Sequence, residues 1–299
     1  MTRPRVCVVG LGNLGGGVAR RLVDAGYAPV GYDADPRARE RATGSGVAVR
    51  TSLPDAVGDA DVVLTSLPDG TAVRDVWLGP GGLVASARPG TTLVELSTIG
   101  PDTMREVAAP AERAGLRVVD APVSGGPVEA ANGTLVVILG GAPDDIEALR
   151  PLWQDIGQSV HVAGPVGAAK TVKLVNNLIT NATVLVSAEA FQLGVAAGLA
   201  PDHLFALLSE MGGGRSHHFQ KRFPWALAGD FRARFSIELA DKDFRLGLRL
   251  GEQTGVPLPA ASAMRSVYAV AKAEGLAGDD IVGLLQLYQR WTARPRAQE

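Results

Sequence analysis

The chain has little of what usually announces special chemistry. It holds one cysteine and four histidines in 299 residues, and these do not cluster at metal-ligand spacing. A lone Cys7 excludes an internal disulfide, which fits a reducing cytosol. It sits in an apolar run, so a buried, inert thiol is expected there and no metal is expected anywhere. Charge of one sign is not in excess: the formal net charge of −2 gives no reason to expect nucleic acid or an anionic membrane as partner. No stretch approaches the ~18 uninterrupted apolar residues of a membrane span. Met1-Thr2-Arg3-Pro4-Arg5 runs straight into a strand, without the apolar region of a signal peptide. Repeats and low-complexity segments are lacking too. What is left, with 46% apolar and 20% charged residues, is an ordinary globular chain of about two domains, expected in the cytoplasm. The polar tail Thr292–Glu299 is expected to fray.

The first half alternates strand and helix. Val6-Cys7-Val8-Val9 reads as a buried parallel strand. It feeds Gly10-Leu11-Gly12-Asn13-Leu14-Gly15, a G-x-G-x-x-G loop, and then a helix with Val18, Leu22 and Val23 facing inward. The second strand, Pro29–Tyr32, ends at Asp33. A strand, a glycine turn, a helix, a second strand and an acid within about thirty residues make the complete dinucleotide-binding context. Gly10 permits the tight turn, Gly12 admits the pyrophosphate to the helix N-terminus, and Gly15 lets helix and strand pack closely. Asp33 is suited to accept hydrogen bonds from both ribose hydroxyls and to repel a 2′-phosphate, so NAD is expected over NADP. Arg37 and Arg39 oppose that expectation only if they leave a solvated helix face.

Further strands are predicted at 61–67, 91–96, 116–119, 135–139 and 159–162, with a helical stretch over 144–158. In an open parallel sheet the ligand lies beyond the carboxyl ends of the strands. The loops at Leu67-Pro68, Ser97-Thr98 and Ser124-Gly125-Gly126 leave such ends. The last of these reads equally well as a nest of amides and a hydroxyl for a carboxylate, or as a plain turn before a short helix.

The second half is helical. Gly164-Pro165 opens one long helix, free of internal proline, running to about Leu199. It places Lys173 and Asn177 at i and i+4, one turn apart on one face, an ammonium and an amide suited to an oxygen that gains or loses a proton. Helical patterns follow at 201–211, 216–229, 236–255, 259–275 and 280–291. Between them lies the loose Gly212–His218 segment, where adjacent His217 and His218 cannot share a helix face. Met211 and Trp225 are expected to pack. Lys242-Asp243 alone reads as a solvated charge pair. The fold class is therefore α/β: a doubly wound, Rossmann-type parallel sheet over residues 1–163, joined by the long helix to an all-α domain over 164–299. That helix carries more apolar surface than one side needs, for example Val184, Leu185, Phe191 and Leu193, which suggests burial against a second subunit.

Over essentially its whole length the chain resembles the β-hydroxyacid dehydrogenases, which include 3-hydroxyisobutyrate dehydrogenase and tartronate semialdehyde reductase. Four segments carry the resemblance: Val8–Gly15, Asp120–Gly126, Gly167–Asn177 and Lys242-Asp243-Phe244. The resemblance implies that Gly10, Leu11, Gly12, Asn13, Leu14, Gly15 and Asp33 bind the cofactor, with Leu67, Pro68 and Thr98 on the nicotinamide side. It implies that Ser124, Gly125 and Gly126 hold the substrate carboxylate, that Asn177 orients the reacting oxygen, and that Lys242 lies near nicotinamide and substrate. Lys173 matches the catalytic lysine; Lys170 falls on a variable position and Ala169 replaces the motif's second glycine. NADP-preferring relatives carry Asn-Arg-Thr where this chain has Asp33-Ala34-Asp35. The segment from Met211 to Phe235 matches least well, with His217, His218 and Phe219 departing from the pattern.

The expected activity is hydride transfer between the nicotinamide of NAD and a small 3-hydroxyacid or its semialdehyde, with Lys173 moving the hydroxyl proton. A free lysine, with pKa about 10.4, is a poor base at neutral pH. Partial burial, the positive nicotinamide and nearby Lys242 are expected to favour its neutral form. Two alternatives share the fold. An imine reductase usually lacks the lysine, and a non-catalytic cofactor-binding interaction module loses it and adds basic segments. The resemblance further implies a homodimer or homotetramer.

Overall fold

In the computed structural model, which describes residues 3–293, the run of four apolar residues Val6–Val9 is β1, buried along its length. The chain continues as α1 (Asn13–Asp24), β2 (Val30–Tyr32), α2 (Pro36–Gly44), β3 (Ala48–Val49), α3 (Leu53–Val57), β4 (Val62–Thr65), α4 (Gly70–Leu78), α5 (Leu83–Ser86) and β5 (Thr92–Glu95). Then come α6 (Pro101–Arg113), β6 (Arg117–Asp120), β7 (Val123–Ser124), α7 (Pro127–Asn132), β8 (Leu135–Gly141), α8 (Pro143–Ala148), α9 (Arg150–Ile156) and β9 (Gly157–Gly164). The strands form one sheet in the order β3-β2-β1-β4-β5-β6-β8-β7, with β9 on β8.

Alternation along each strand builds two cores, one per face of the sheet. Val6, Val8, Val62, Leu64, Val94 and Val119 meet helices α1, α7 and α9 through Val18, Leu22, Ala130 and Trp153. Cys7, Val9, Val63, Leu93 and Val118 meet α4 and α6 through Val73, Trp77, Met104 and Val107. Both faces are covered, which is why these strands read as continuous apolar runs. Burial pushes the Cys7 thiol up to about 12, so it stays protonated and inert.

The sheet is mostly parallel, as expected from the sequence, with one reversal that the sequence did not reveal. Strands β1 to β6 pair in parallel, but β8 runs antiparallel to both β6 and β7. Strand β9 then pairs in parallel with β8. A parallel crossover needs a dozen or more residues, usually a full helix. Between β6 and β8 the chain spends its residues on β7, which pairs antiparallel with β8, and on the six-residue α7, so no full crossover helix forms and the chain turns back. The two-residue strands β3 and β7 escaped the sequence reading because so short a run has no period to detect.

Two compact units result, Met1–Leu174 and Val175–Glu299. The division falls inside the long helix α10 (Ala168–Ala196). The start of α10 is held within the first unit: the Asp120 carboxylate accepts from the Gly167 and Lys170 amides at 3.1 and 3.2 Å, an acceptor where the helix leaves its amides unpaired.

The second unit is built from the rest of α10, then α11 (Pro201–Glu210), α12 (His217–Leu227), α13 (Ile237–Thr254), α14 (Pro259–Ala273) and α15 (Leu284–Ala293). Its core holds an aromatic cluster, with Phe191–Phe223 and Phe219–Phe223 ring centroids 5.1 and 4.3 Å apart. Val184, Leu185 and Phe191 belong to this core and are not the outward surplus the sequence suggested. The exposed apolar stripe of α10 is instead Val172, Val175, Ile179, Val186 and Leu193. Its steps of three, four and seven residues keep it on one side of a helix, in a different phase from the core residues. Met211 is exposed rather than packed, while Trp225 is covered by the Arg234 guanidinium, 3.9 Å from its ring centroid. Thr292, placed in the fraying tail by the sequence reading, lies in α15 and accepts from the Gln192 amide at 2.9 Å; residues 294–299 of that tail lie outside the described residues.

Candidate active site

Because β1, β2, β4, β5 and β6 are parallel neighbours, their carboxyl ends share one edge of the first unit. That edge gathers Gly10–Gly15 after β1, Asp33 after β2, Leu67-Pro68 after β4, Thr98 after β5 and Asp120 at the end of β6. Bonds across the edge hold these pieces in register. The Leu11 amide donates to Asp33 Oδ2 at 2.7 Å, and the Leu67 amide donates to Ser97 Oγ at 2.7 Å.

The glycines of the first loop sort by what a side chain would meet. At Gly10, with φ +90°, a Cβ would lie 2.1 Å from the Ser66 carbonyl oxygen; at Gly15 it would lie 2.0 Å from that of Gly10. Both are demanded by the protein's own packing. At Gly12 a Cβ would meet nothing within 4 Å. The bare backbone there leaves open space in front of α1, whose N-cap, Gly12 itself, offers no side-chain cap. Free first-turn amides beside open space fit a dinucleotide pyrophosphate. Asn13 and half-buried Leu14 begin that helix.

Asp33 is half-buried, with Oδ1 accepting from the Asp35 amide at 2.8 Å and Oδ2 from Leu11. Two fixed amides orient the carboxylate and leave each oxygen a further lone pair for a ribose hydroxyl. Arg39 does not stand off in solvent: it donates to the carbonyls of Asp33 and Ala34 at 2.6 and 3.2 Å. Arg37 is exposed.

The Ser124-Gly125-Gly126 segment is one strand residue followed by a turn, with Gly125 at φ +128°. One of its amides is already engaged. Gly126 donates to Glu129 Oε2 at 2.8 Å, a single bond from the N-cap amide into the first turn of α7. In this structure the Gly126 amide is engaged by Glu129, while Ser124 is half-buried and Gly125 exposed. Glu129, three residues after Gly126, was a visible capping signal that the sequence reading passed over.

Lys173 is half-buried on α10, one turn before Asn177. Asn177, in the second unit, is buried, and its amide donates to Asp243 Oδ2 at 2.6 Å. Lys242 Nζ lies 3.6 Å from Asp243 Oδ1, with side-chain exposures of 16% and 1%. The pair is not a solvated one: Asp243 is a buried acceptor that fixes Asn177. His217 and His218, adjacent at the start of α12, set their rings edge to face with centroids 5.6 Å apart. His217 is exposed, and His218 Nε2 sits 3.2 Å from Thr180 Oγ1, with burial pushing its pKa down to about 4. Among the described residues no group of three or more His, Cys, Asp or Glu side chains is placed to hold a metal ion.

A strand–glycine loop–helix with open space at the helix start, an oriented acid after the second strand and a half-buried lysine on a following helix define a dinucleotide-binding oxidoreductase. Residues 5–164 match the family profile described as the NAD binding domain of 6-phosphogluconate dehydrogenase, and residues 167–288 that described as NAD-binding of NADP-dependent 3-hydroxyisobutyrate dehydrogenase. The chain is 33% identical over 291 residues to the NAD-dependent L-serine dehydrogenase of Pseudomonas aeruginosa, covering 95% of this chain and 97% of that one. It is 33% identical over 295 residues to the 3-hydroxyisobutyrate dehydrogenase of the same organism, with 95% and 98% coverage. Among solved structures, that of Mycobacterium tuberculosis 3-hydroxyisobutyrate dehydrogenase with L-serine superposes with a TM-score of 0.86 at 33% identity, covering 96% of this chain and 99% of that one. The chain belongs to the β-hydroxyacid dehydrogenase family.

Proposed function

We propose that the protein oxidises a small 3-hydroxyacid to its semialdehyde, or runs the reverse reduction, with NAD preferred and Lys173 as general acid and base. The observation that carries this reading is half-buried Lys173 one turn from an Asn177 whose amide is held by buried Asp243. Bound nicotinamide would supply the hydride acceptor. The chain's own part is then proton transfer and orientation. Lys173 in its neutral form takes the proton of the substrate hydroxyl as the carbinol carbon loses hydride, and returns it in the reverse direction. Asn177 retains a second amide N–H to orient the reacting oxygen. Ser124 and the Gly125 amide are suited to the substrate carboxylate, with Gly126 joining them where Glu129 turns away. Lys242 is assigned to the substrate and nicotinamide by the family resemblance alone. An imine reductase or a non-catalytic module has no use for this lysine. In this reading residues 1–163 bind the dinucleotide, and 164–299 supply substrate and subunit contacts in a cytoplasmic enzyme.

The direct test is NADH formation, followed by absorbance, across 3-hydroxyisobutyrate, L-serine, 3-hydroxypropionate and glycerate. Turnover of at least one is expected; none with any would sink the dehydrogenase reading. Asp33 is the proposed selector for NAD. Two unit charges ~5 Å apart repel by about 3 kcal/mol at an effective dielectric of ~20. Partial exposure of Asp33 reduces what can be recovered. Asp33→Asn, whose single oxygen can keep the Leu11 bond at the expense of the Asp35 one, is therefore expected to lower the NAD-over-NADP ratio of kcat/KM by about tenfold. An unchanged ratio in steady-state kinetics removes Asp33 as selector.

A second copy of the chain is the proposed cover for the stripe on α10, where Ile179 is 65% and Leu193 72% exposed. Sedimentation should show a dimer or tetramer, reduced to smaller species by Ile179→Glu combined with Leu193→Glu. A wild-type monomer, or an unaltered assembly in the variant, rejects this interface.

A further inference from the structure

Lys170, to which the family resemblance gives no role, is wholly buried. A lysine is almost never withdrawn from water unless its ammonium is paired. Here Nζ donates to the carbonyls of Glu95 and Ser97 at 2.6 and 3.0 Å. Both lie where the chain leaves β5, and the Ser97 carbonyl is past the last ladder pair of that strand. The ammonium thus does at the end of the sheet what a neighbouring strand does within it.

The contact is one member of a buried network. Glu95 Oε1 accepts from the Ser97 amide and Oε2 from the Thr65 hydroxyl, both at 2.5 Å. Ser97 Oγ accepts from the Leu67 amide at 2.7 Å. The ends of β4 and β5, with Leu67 on one and Thr98 on the other, are therefore bonded to each other through Ser97. On the opposite side, Asp120 Oδ2 accepts from the backbone of Gly167 and of Lys170 itself. Burial raises the Asp120 pKa and the Lys170 charge opposes that rise. Lys170 has its backbone on the helix that bears Lys173 three residues later, and its ammonium under the turn that precedes Thr98. A methionine would fill nearly the same space. Only the charge and its donors explain why a lysine stands here.

We propose that Lys170 is a positioning residue that, through Ser97, sets the Leu67 and Thr98 loops at a defined place relative to the helix carrying Lys173, and so shapes the grip on the nicotinamide half of the cofactor. This rests on the reading above in one respect, that those two loops face the nicotinamide. It adds a residue that touches neither cofactor nor substrate.

The test compares two probes, NADH and ADP-ribose, titrated into the full-length protein. ADP-ribose reports the glycine loop and Asp33; the difference between the probes reports the nicotinamide side. Lys170→Met is expected to weaken NADH by about tenfold while ADP-ribose stays within about twofold of wild type. Ser97→Ala, which leaves every buried charge paired and strands only the Leu67 amide, is expected to move the same ratio by about threefold with a small fall in the unfolding midpoint. It carries the test should Lys170→Met fail to fold. Equal weakening of both probes would make Lys170 a plain structural residue, and an unchanged ratio in both variants would remove it from the nicotinamide side; either overturns the proposal. A wild type that binds the two probes equally overturns the placement of the loops themselves, and with it this part of the functional reading.

Discussion

Lys173→Ala is expected to lower kcat by on the order of 10³-fold while the dissociation constant for NAD stays within about twofold. The reasoning separates two jobs. In the proposed reading Gly10–Gly15 and Asp33 bind the dinucleotide, and Lys173 has no part in that. Proton transfer has no other assigned base on α10, because the Lys170 ammonium is committed to the Glu95 and Ser97 carbonyls. Lys173→Arg is expected to be nearly as inactive, since a guanidinium does not give up its proton in a protein. Lys173→Gln should behave likewise, keeping a hydrogen-bond donor without a titratable proton. Retention of more than a few per cent of wild-type kcat by the alanine variant, measured at saturating NAD and hydroxyacid, would refute the role of Lys173 as general base.

The largest expected loss of stability lies in the second unit, at Asp280. Its carboxylate is wholly buried. Oδ1 accepts from Arg222 Nη1 at 2.5 Å and from the Val282 amide at 3.2 Å, and Oδ2 accepts from the amides of Arg234 and Phe235 at 3.0 Å each. One side chain thus joins α12, the loop before α13 and the turn before α15. Removing one member of a buried pair strands the other, at a cost of about 3–5 kcal/mol. Asp280→Ala should therefore lower the urea midpoint sharply and, at roughly 2–4 °C per kcal/mol for a chain of this size, Tm by on the order of 10 °C. Buried pairs are screened little, so added salt should not restore it. The control is Arg232→Ala, whose partner Asp230 forms an ion pair at the surface. That pair is 2.8 Å apart, yet the Arg232 side chain is 86% exposed and solvent screens the attraction, so no measurable shift is expected. A loss below about 1 kcal/mol at Asp280 would show that the pair's desolvation cancels its hydrogen bonds.

Much of the site was legible because its motifs act through backbone geometry that neighbours in sequence determine. Val6–Val9 followed by Gly10–Gly15 can form little else than a strand entering a glycine turn, and the structure shows both at those residues. The long helix and the five helices after it stand close to their predicted ranges, because a 3.6-residue period sustained over ten or more residues is a strong local signal. Lys173 and Asn177 shared a helix face as soon as the helix was recognised. The failures are of another kind. Asp243 read as a solvated charge, yet it is buried against Asn177, 66 positions earlier. Lys170 read as idle, yet it reaches a strand end 75 positions away. Arg39 read as a solvated helix-face charge, yet it folds onto the carbonyls of Asp33 and Ala34.

The order of residues alone determined where the longer strands and helices would lie, which glycine loop opens a helix, and which lysine stands one turn from an amide. These are consequences of dihedral preference and short-range spacing, which act within about ten residues. Only the tertiary structure decided that β8 turns back against β6, that Gly12 faces open space while Gly10 and Gly15 do not, and which of two lysines three residues apart is spent on backbone carbonyls. Burial is the physical reason. A side chain's desolvation depends on elements brought up from far along the chain, and it is desolvation that turns a common charged residue into a fixed structural link or leaves it able to move a proton.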